Sequence, residues 1–260
     1  MPPIGNAKSP QSVRKRVGAL APALARLGVA VGVILALLLP SALSLWVVTP
    51  STDDVQARVN AYTHAKGIVL LSQSGVPVAL AHAVVATEDE RFYLHHGIDS
   101  LGVARALLYD VTERCLCQGG STITQQLVKD IYLGGSDRGR NKIDGMVLAL
   151  KVERTLTKDQ IMADYLSEIT TGLGVYGVSA AACDYFSAPL GDLTLGQYAL
   201  LAGVTQAPSL YDPRVNPQAA AARRAHVLAA MVADSYITPS QAAAANAEPV
   251  MARGSGRPGC

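Results

Sequence analysis

A long run of apolar side chains lies near the amino end of the chain. Residues 27–48 contain no charged residue, and a helix of that length can cross a hydrocarbon core of about 30 Å. Basic side chains precede the run: Lys8, Arg14, Lys15, Arg16 and Arg26. This asymmetry predicts a transmembrane anchor whose amino end is cytoplasmic and which sends the rest of the chain outside. A cleaved signal peptide ending near Ala42 is the alternative.

Beyond residue 50 the apolar positions recur with a helical period. A helix over residues 121–132 is predicted to bury one face, whose apolar residues are four apart: Ile123, Leu127 and Ile131. Ser121 is the candidate N-cap. Ser121, Gln125 and Lys129 share the same spacing and project from roughly the opposite side. One helix therefore offers a buried face and a polar, cationic face.

Other helices follow from periodicity and caps. They are predicted over 78–85, over 142–155, over 158–169 after Thr157, over 195–204 after Thr194, and from Thr238-Pro239 onward. Half of the residues are apolar and 16% are charged, which argues against disorder. The net charge of +2 does not indicate a nucleic-acid-binding protein. The sequence predicts a mainly α fold.

The chain is divided by composition into four parts. We predict a cytoplasmic tail over 1–26, a transmembrane anchor over 27–49, a catalytic body over 50–248 and a flexible tail over 249–260. Of the four cysteines, Cys115 or Cys117 could pair with Cys183, and unpaired cysteines are an equal alternative. No further cluster of zinc ligands accompanies them.

Two segments carry candidate chemistry. In residues 86–99 an apolar helix leads directly into adjacent carboxylates, and burial of Glu88 against an apolar wall would raise its pKa and make it a usable base. In residues 118–129 a Gly-Gly turn feeds a hydroxyl-rich helix start, which suits an anion. Lys129 would add a point charge there. Each segment alone is more often an ordinary solvated helix end or a capped turn.

Together, the two segments resemble the glycosyltransferase domain of class A penicillin-binding proteins and of monofunctional peptidoglycan transglycosylases. Residues 88–99 match the family's Glu-Asp-x-x-Phe-x-x-His-x-Gly-x-Asp motif, and 119–129 match Gly-Gly-Ser-Thr-Ile-Thr-Gln-Gln-Leu-x-Lys without a substitution. Residues 174–186 and 193–213 resemble its later motifs. The resemblance covers residues 66–248 and implies a lysozyme-like fold with a deep cleft.

The resemblance implies that lipid II is polymerised into β-1,4-linked glycan with release of undecaprenyl pyrophosphate. Glu88 would be the general base, and Asp144 is the candidate for the second catalytic acid. Further residues are expected to bind sugar or diphosphate: Asp89, Phe92, His95, Gly120, Ser121, Thr122, Gln125, Gln126, Lys129, Arg140 and Lys142. A divalent cation, Mg²⁺ or Mn²⁺, could share the diphosphate charge, although no metal ligands are predicted. The expected partners are lipid II, lipid-linked glycan, the bacterial cytoplasmic membrane and other cell-wall synthesis proteins.

The third family motif, Arg-Lys-x-x-Glu, is altered here. Its lysine falls on Lys142, its arginine on Asn141 and its glutamate on Gly145, so that Asp144 lies one residue early. One residue turns a helical side chain by about 100°, so Asp144 does not simply replace the glutamate. A binding domain without turnover is therefore an alternative, and a lysozyme-type hydrolase using Glu88 is a weaker one. No transpeptidase signature follows.

Overall fold

The computed structural model describes residues 28–29, 32–34, 36–113, 120–172 and 174–251. The chain divides into two compact units, Met1–Pro50 and Ser51–Cys260. In the first unit, residues 36–48 are helical and expose apolar side chains such as Leu37, Leu43 and Val47. No helix in the described ranges has both the length and the apolar character needed to span a membrane. The predicted tail over 1–26, parts of the predicted anchor and residues 252–260 lie outside those ranges.

The second unit is mainly helical, as predicted. Its helices are α1 (Val55–Ala65), α2 (Val78–Glu88), α3 (Ser100–Glu113), α4 (Ile123–Tyr132), α5 (Arg140–Thr155), α6 (Lys158–Glu168), α7 (Val178–Phe186), α8 (Leu195–Val204), α9 (Pro208–Tyr211), α10 (Pro217–Ala233) and α11 (Pro239–Asn246). Short 3₁₀ turns cover Gln73–Gly75 and Leu190–Asp192. A small antiparallel pair, β1 (Thr170–Gly172) and β2 (Val175–Tyr176), was not predicted.

Local caps set the helix starts. Thr157, Thr194 and Thr238 each cap a helix by accepting a hydrogen bond from the backbone three residues on, as predicted. The prediction for α4 was wrong by one residue, because Thr122 rather than Ser121 is the cap. The Thr122 hydroxyl also donates to the Gly97 carbonyl at 2.8 Å, a contact that sequence alone could not supply.

Two groups of helices build the core. In one group α8 packs on α2 and α10, and in the other α4 packs on α5 and α6. Helix α8 is buried along nearly its whole length, because its residues are apolar on every side. The carboxyl end of α2 reaches from the first group to α4 of the second. Glu88, the last residue of α2, therefore lies where the two groups meet.

Candidate active site

Glu88 is nearly buried at the end of an apolar helix. Its side chain is 12% exposed, and the α2 residues before it, including Val84 and Val85, belong to the core. Burial is the dominant influence and raises the pKa of the Glu88 carboxyl. The Glu88 carboxyl therefore lies against the apolar wall that the sequence analysis predicted for a general base.

Polar groups from two other helices approach the Glu88 carboxyl. Gln126 donates to its Oε2 at 3.0 Å, and a guanidinium nitrogen of Arg223 lies 3.7 Å from its Oε1. Both contacts lower the pKa of Glu88 against the larger effect of burial, and the adjacent Asp89 raises it slightly. The hydroxyl of Tyr165 donates to Gln126 Oε1 at 3.3 Å, which fixes the amide so that its NH₂ group faces Glu88. Gln126 is thus committed to orienting Glu88.

Asp89 and His95 hold the start of α4 in place. His95 Nε2 lies 2.9 Å from both carboxylate oxygens of Asp89, and the Ile123 backbone N–H donates to Asp89 Oδ2 at 3.0 Å. A carboxylate at a helix amino end also complements the helix dipole. His95 Nδ1 faces Glu153 Oε1 at 3.9 Å, and Lys158 pairs with the same oxygen at 2.7 Å. This buried network ties the segment after α2 to α4, α5 and α6.

Two residues predicted to bind substrate lie in the interior instead. Phe92 is fully buried, and His95 is 7% exposed. Their neighbours are core and network residues, and Lys158 Nζ lies 4.3 Å from the centre of the Phe92 ring. The structure therefore places both side chains behind the site, where they position the segment that carries Glu88.

Gly97 brings this segment against α5. Its φ is +92°, and a Cβ atom there would lie 2.7 Å from the Ala149 backbone. Only glycine fits both the left-handed conformation and the close approach. The motif glycine consequently sets the distance between the Glu88 segment and the helix that carries Lys142.

A large cavity opens beside Glu88. Its volume is about 620 Å³. Predicted site residues on its wall are Glu88, Asp89, Gly120, Ser121 and Thr122. Arg223 and His226 of α10 also line it, as does Arg105 of α3, which pairs with Glu90 at 2.7 Å. The cavity is wide enough for a sugar unit to approach the carboxyl group.

A second cavity lies on the other side of Ser121. Its volume is about 210 Å³, and predicted residues on its wall are Ser121, Gln125, Gln126, Lys129 and Lys142. We call it the lysine cavity. Lys142 Nζ donates to Ser121 Oγ at 2.7 Å, so that a hydroxyl shared by both cavities is held by a cation. The wall carries two ammonium groups and several amides against one acid, Asp137, and this excess of positive charge suits an anion.

The altered third motif borders the lysine cavity. Asn141 and Gly145 line it, whereas Asp144 and Arg140 belong to the wall of neither cavity as the described residues form them. Arg140 is 69% exposed, and its Nε lies 3.3 Å from Asp144 Oδ2 on the next turn. The second carboxylate predicted from sequence is thus engaged by a surface arginine. Across the described residues, no group of His, Cys, Asp and Glu is arranged to hold a metal ion.

Sequence reasoning missed the residues that reach the site from distant parts of the chain. Arg223 is 9% exposed and was not singled out, although it stands with Arg224 among the mainly apolar buried residues of the alanine-rich helix α10. A cation in such a setting is a signal in itself, because a buried charge needs a partner. Tyr165 and Glu153 had no comparable local signal. Cys183 is disulfide-bonded, and the three other cysteines lie outside the described residues.

Comparison with known proteins identifies relatives of this chain. The transglycosylase family model matches residues 55–232. The chain is 41% identical over 176 residues to penicillin-binding protein 1A of Vibrio cholerae, which covers 68% of this chain and 21% of that protein. It is 38% identical over 204 residues to penicillin-binding protein 1A of Aquifex aeolicus, covering 78% and 28%. The chain thus spans between 21% and 28% of the length of these relatives.

Among solved structures, the crystal structure of penicillin-binding protein 1A from Haemophilus influenzae aligns with a TM-score of 0.40 and 24% identity, over 70% of this chain and 18% of that one. The family model extends from the start of α1 almost to the end of α10 and includes both cavities. Since it matches more than half of the chain, the chain belongs to the transglycosylase family.

Proposed function

We propose that this chain is a peptidoglycan glycosyltransferase that joins lipid II to a growing, lipid-linked glycan chain. The observation that carries the proposal is the position of the Glu88 carboxyl. It is nearly buried, it faces a cavity large enough for a sugar, and it lies one side chain away from a cavity with two lysines. The relatives of this chain are named penicillin-binding proteins, which supports the proposed activity.

The proposed reaction needs one proton transfer and one displacement. The 4-hydroxyl of the acceptor attacks the anomeric carbon of the donor, and Glu88 takes the hydroxyl proton as the new β-1,4 bond forms. The bond from the anomeric carbon to the lipid diphosphate breaks, and its electron pair leaves with the diphosphate. Lys129 and Lys142 stabilise the charge that develops there. A divalent cation could share this charge, bound chiefly by the diphosphate itself.

The proposal also assigns a location. Residues 27–49 are proposed to anchor the chain in the bacterial cytoplasmic membrane, with the catalytic unit outside. An anchored enzyme meets lipid-linked substrate at a raised effective concentration. Other cell-wall synthesis proteins are proposed as partners.

The test is polymerisation of labelled lipid II by the purified full-length chain. We expect the wild type to produce glycan ladders on gels. Glu88→Gln keeps the shape of the side chain but cannot take a proton, so its rate should fall by at least about a hundredfold. Asp192→Asn, an exposed acid on the 3₁₀ turn, is the charge-matched control and should behave as wild type. Equal rates for Glu88→Gln and wild type would exclude Glu88 as the base.

A second candidate function is supported by the altered third motif. Gly145 offers no carboxylate to the lysine cavity, and Asp144 is paired with Arg140. A chain of this kind could bind the lipid-linked precursor without turning it over. In that case filter binding of labelled lipid II would be retained while no ladder forms with the wild type.

A further inference from the structure

Lys129 is drawn toward its own neighbour on the helix. Its Nζ lies 3.7 Å from Asp130 Oδ1. Adjacent residues on a helix do not face each other, so the lysine side chain must bend to make this contact. The same lysine lines the lysine cavity. Asp130 therefore restrains one of the two cations that face the cavity.

A second acid lies beneath Asp130. Glu168 ends α6 and is 1% exposed. Within the described part of the chain, neither of its carboxylate oxygens has a hydrogen-bond donor. The Asp130 carboxyl is close enough to raise the pKa of Glu168. Two neighbouring carboxyl groups do not readily both ionise, so one of them tends to hold a proton.

The surroundings favour a proton on Glu168. Burial raises the pKa of Glu168 well above its ordinary value, and the Asp130 carboxyl raises it further. Lys129 and Lys66 act in the opposite direction on both acids. Lys66 is also engaged by the Tyr62 hydroxyl, at 2.5 Å. Asp130 is the more exposed acid and the one that touches Lys129, so the negative charge of the pair belongs on Asp130.

Two phenols also lie near the pair, and Asp137 lines the lysine cavity together with Lys129. Tyr62 of α1 and Tyr165 of α6 have raised pKa values, because burial and then the nearby carboxyls of Asp130 and Glu168 disfavour the phenolate. Both are neutral near pH 7 and add no charge there. The net charge at the acid pair is thus set by Lys129 and Lys66 against one or two carboxylates.

We propose that Asp130 is a positioning residue that competes with a bound diphosphate for Lys129, and that Glu168 keeps the acid pair at a single negative charge. This inference rests on the proposed function in one respect, namely that the lysine cavity takes a diphosphate. When a diphosphate enters, Lys129 exchanges the Asp130 carboxylate for the ligand. The pair therefore tunes how tightly the leaving diphosphate is held.

The direction of the pH effect follows from the sign of the Glu168 shift. Glu168 is buried, and in the described residues neither of its oxygens has a hydrogen-bond partner, so its pKa is raised and it loses its proton only as the pH rises. The second negative charge then appears behind Lys129 and weakens anion binding. Glu168→Gln cannot acquire that charge.

The first experiment measures inorganic pyrophosphate binding to the full-length chain by calorimetry at low salt. Asp130→Asn removes the competing charge while keeping the shape, and we expect its affinity to rise about three- to fivefold. Asp192→Asn changes the net charge equally at a distance and should match the wild type. Unchanged or weaker binding by Asp130→Asn would overturn the proposal, as would a wild type that binds no pyrophosphate.

The second experiment repeats the titration between pH 7 and pH 9. Pyrophosphate itself titrates identically in every sample, so the informative quantity is the ratio of the affinity of Glu168→Gln to that of the wild type. We expect the ratio to be near one at pH 7 and to increase with pH. A constant ratio, the result of a purely structural role, would contradict the assignment of the proton. If the chain polymerises no lipid II but still shows the affinity gain of Asp130→Asn and the pH dependence of the Glu168→Gln ratio, the proposed function fails and the role of the acid pair stands.

Discussion

At the scale of single residues, the site depends on how two groups hold the Glu88 carboxyl. Gln126 and Arg223 approach different oxygens of the same carboxylate. Burial raises the pKa of Glu88 and so favours the protonated form, which cannot act as a base. The hydrogen bond and the guanidinium charge offset part of that penalty. They therefore determine the pH above which the base is available.

Replacement of Arg223 tests this balance. Arg223→Met removes a cation that lowers the pKa of Glu88, so the pKa of Glu88 should rise. The acidic limb of the profile of kcat/KM against pH should move to higher pH by the same amount. Arg223→Lys keeps the charge and should restore much of the position of the limb.

Arg105→Met is the matched control for that profile. Arg105 lines the same cavity but pairs with Glu90 rather than with Glu88. Its loss should leave the acidic limb in place, whatever it does to the rate. A limb that stays fixed in Arg223→Met would show that Arg223 does not set the ionisation of Glu88.

At the scale of helices, α5 carries a glycine that lowers helix stability at a position on the wall of the lysine cavity. Gly145 stands in the interior of this helix, where glycine costs about 0.5–1 kcal/mol relative to alanine. The nearest atom to a Cβ placed there is Leu133 Cδ1, at 3.4 Å. The position is therefore open to a side chain on steric grounds.

Gly145→Ala should stabilise the protein by about 0.5–1 kcal/mol, measured as the free energy of unfolding in urea. Gly203→Ala in the interior of α8 is the contrasting variant, since its Cβ would lie 2.9 Å from Arg223 Cγ. That overpacking should cost about 1–3 kcal/mol. Destabilisation by both variants to the same extent would mean that space at Gly145 is tighter than the geometry indicates.

Helix positions were largely predictable from sequence because their signals are local. The threonine caps of α6, α8 and α11 each bond to a residue three positions away, so that a short window contains the whole pattern. The same pattern favours Thr122 over Ser121, because Gln125 stands three residues after Thr122 and completes its capping box, and the prediction overlooked it. Arg223 and Glu153 were missed because their contacts with Glu88 and His95 join distant parts of the chain. The β1–β2 pair is too short to show a strand period.

At the scale of the whole molecule, several charges are buried within the helical unit. Asp164 joins α6 to α1 through a hydrogen bond from Gln56 at 3.3 Å. Its other oxygen has no hydrogen-bond partner among the described residues. Burial raises the pKa of Asp164 from 3.8 to about 6. The folded state therefore binds the proton more tightly than the unfolded chain.

This shift makes global stability depend on pH. The pKa of Asp164 is higher in the folded state than in the unfolded chain. Asp164 therefore does not lower the free energy of unfolding below pH 3.8. Its destabilising effect develops as the pH rises to about 6 and persists at higher pH. Asp164→Asn should therefore stabilise the fold at pH 7.5 by about 1–3 kcal/mol, and the gain should shrink as the pH falls toward 4.

Thermal or urea unfolding of both proteins at a series of pH values checks this expectation. The exposed Asp159→Asn on the same helix is the control and should show no such pH-dependent gain. A gain for Asp164→Asn that is equal at pH 4 and pH 7.5 would point to a packing effect instead.

The position of Ser121 on the walls of both cavities has a consequence for inhibitor design. A compound could carry an acidic head for the two ammonium groups and a hydrogen-bond donor for Glu88 Oε1, joined by a short linker passing over this hydroxyl. Because linked fragments gain from each other's binding, such a molecule would profit from both recesses at once. Its linker would have to be slim at the crossing point, where Lys142 already holds the serine oxygen.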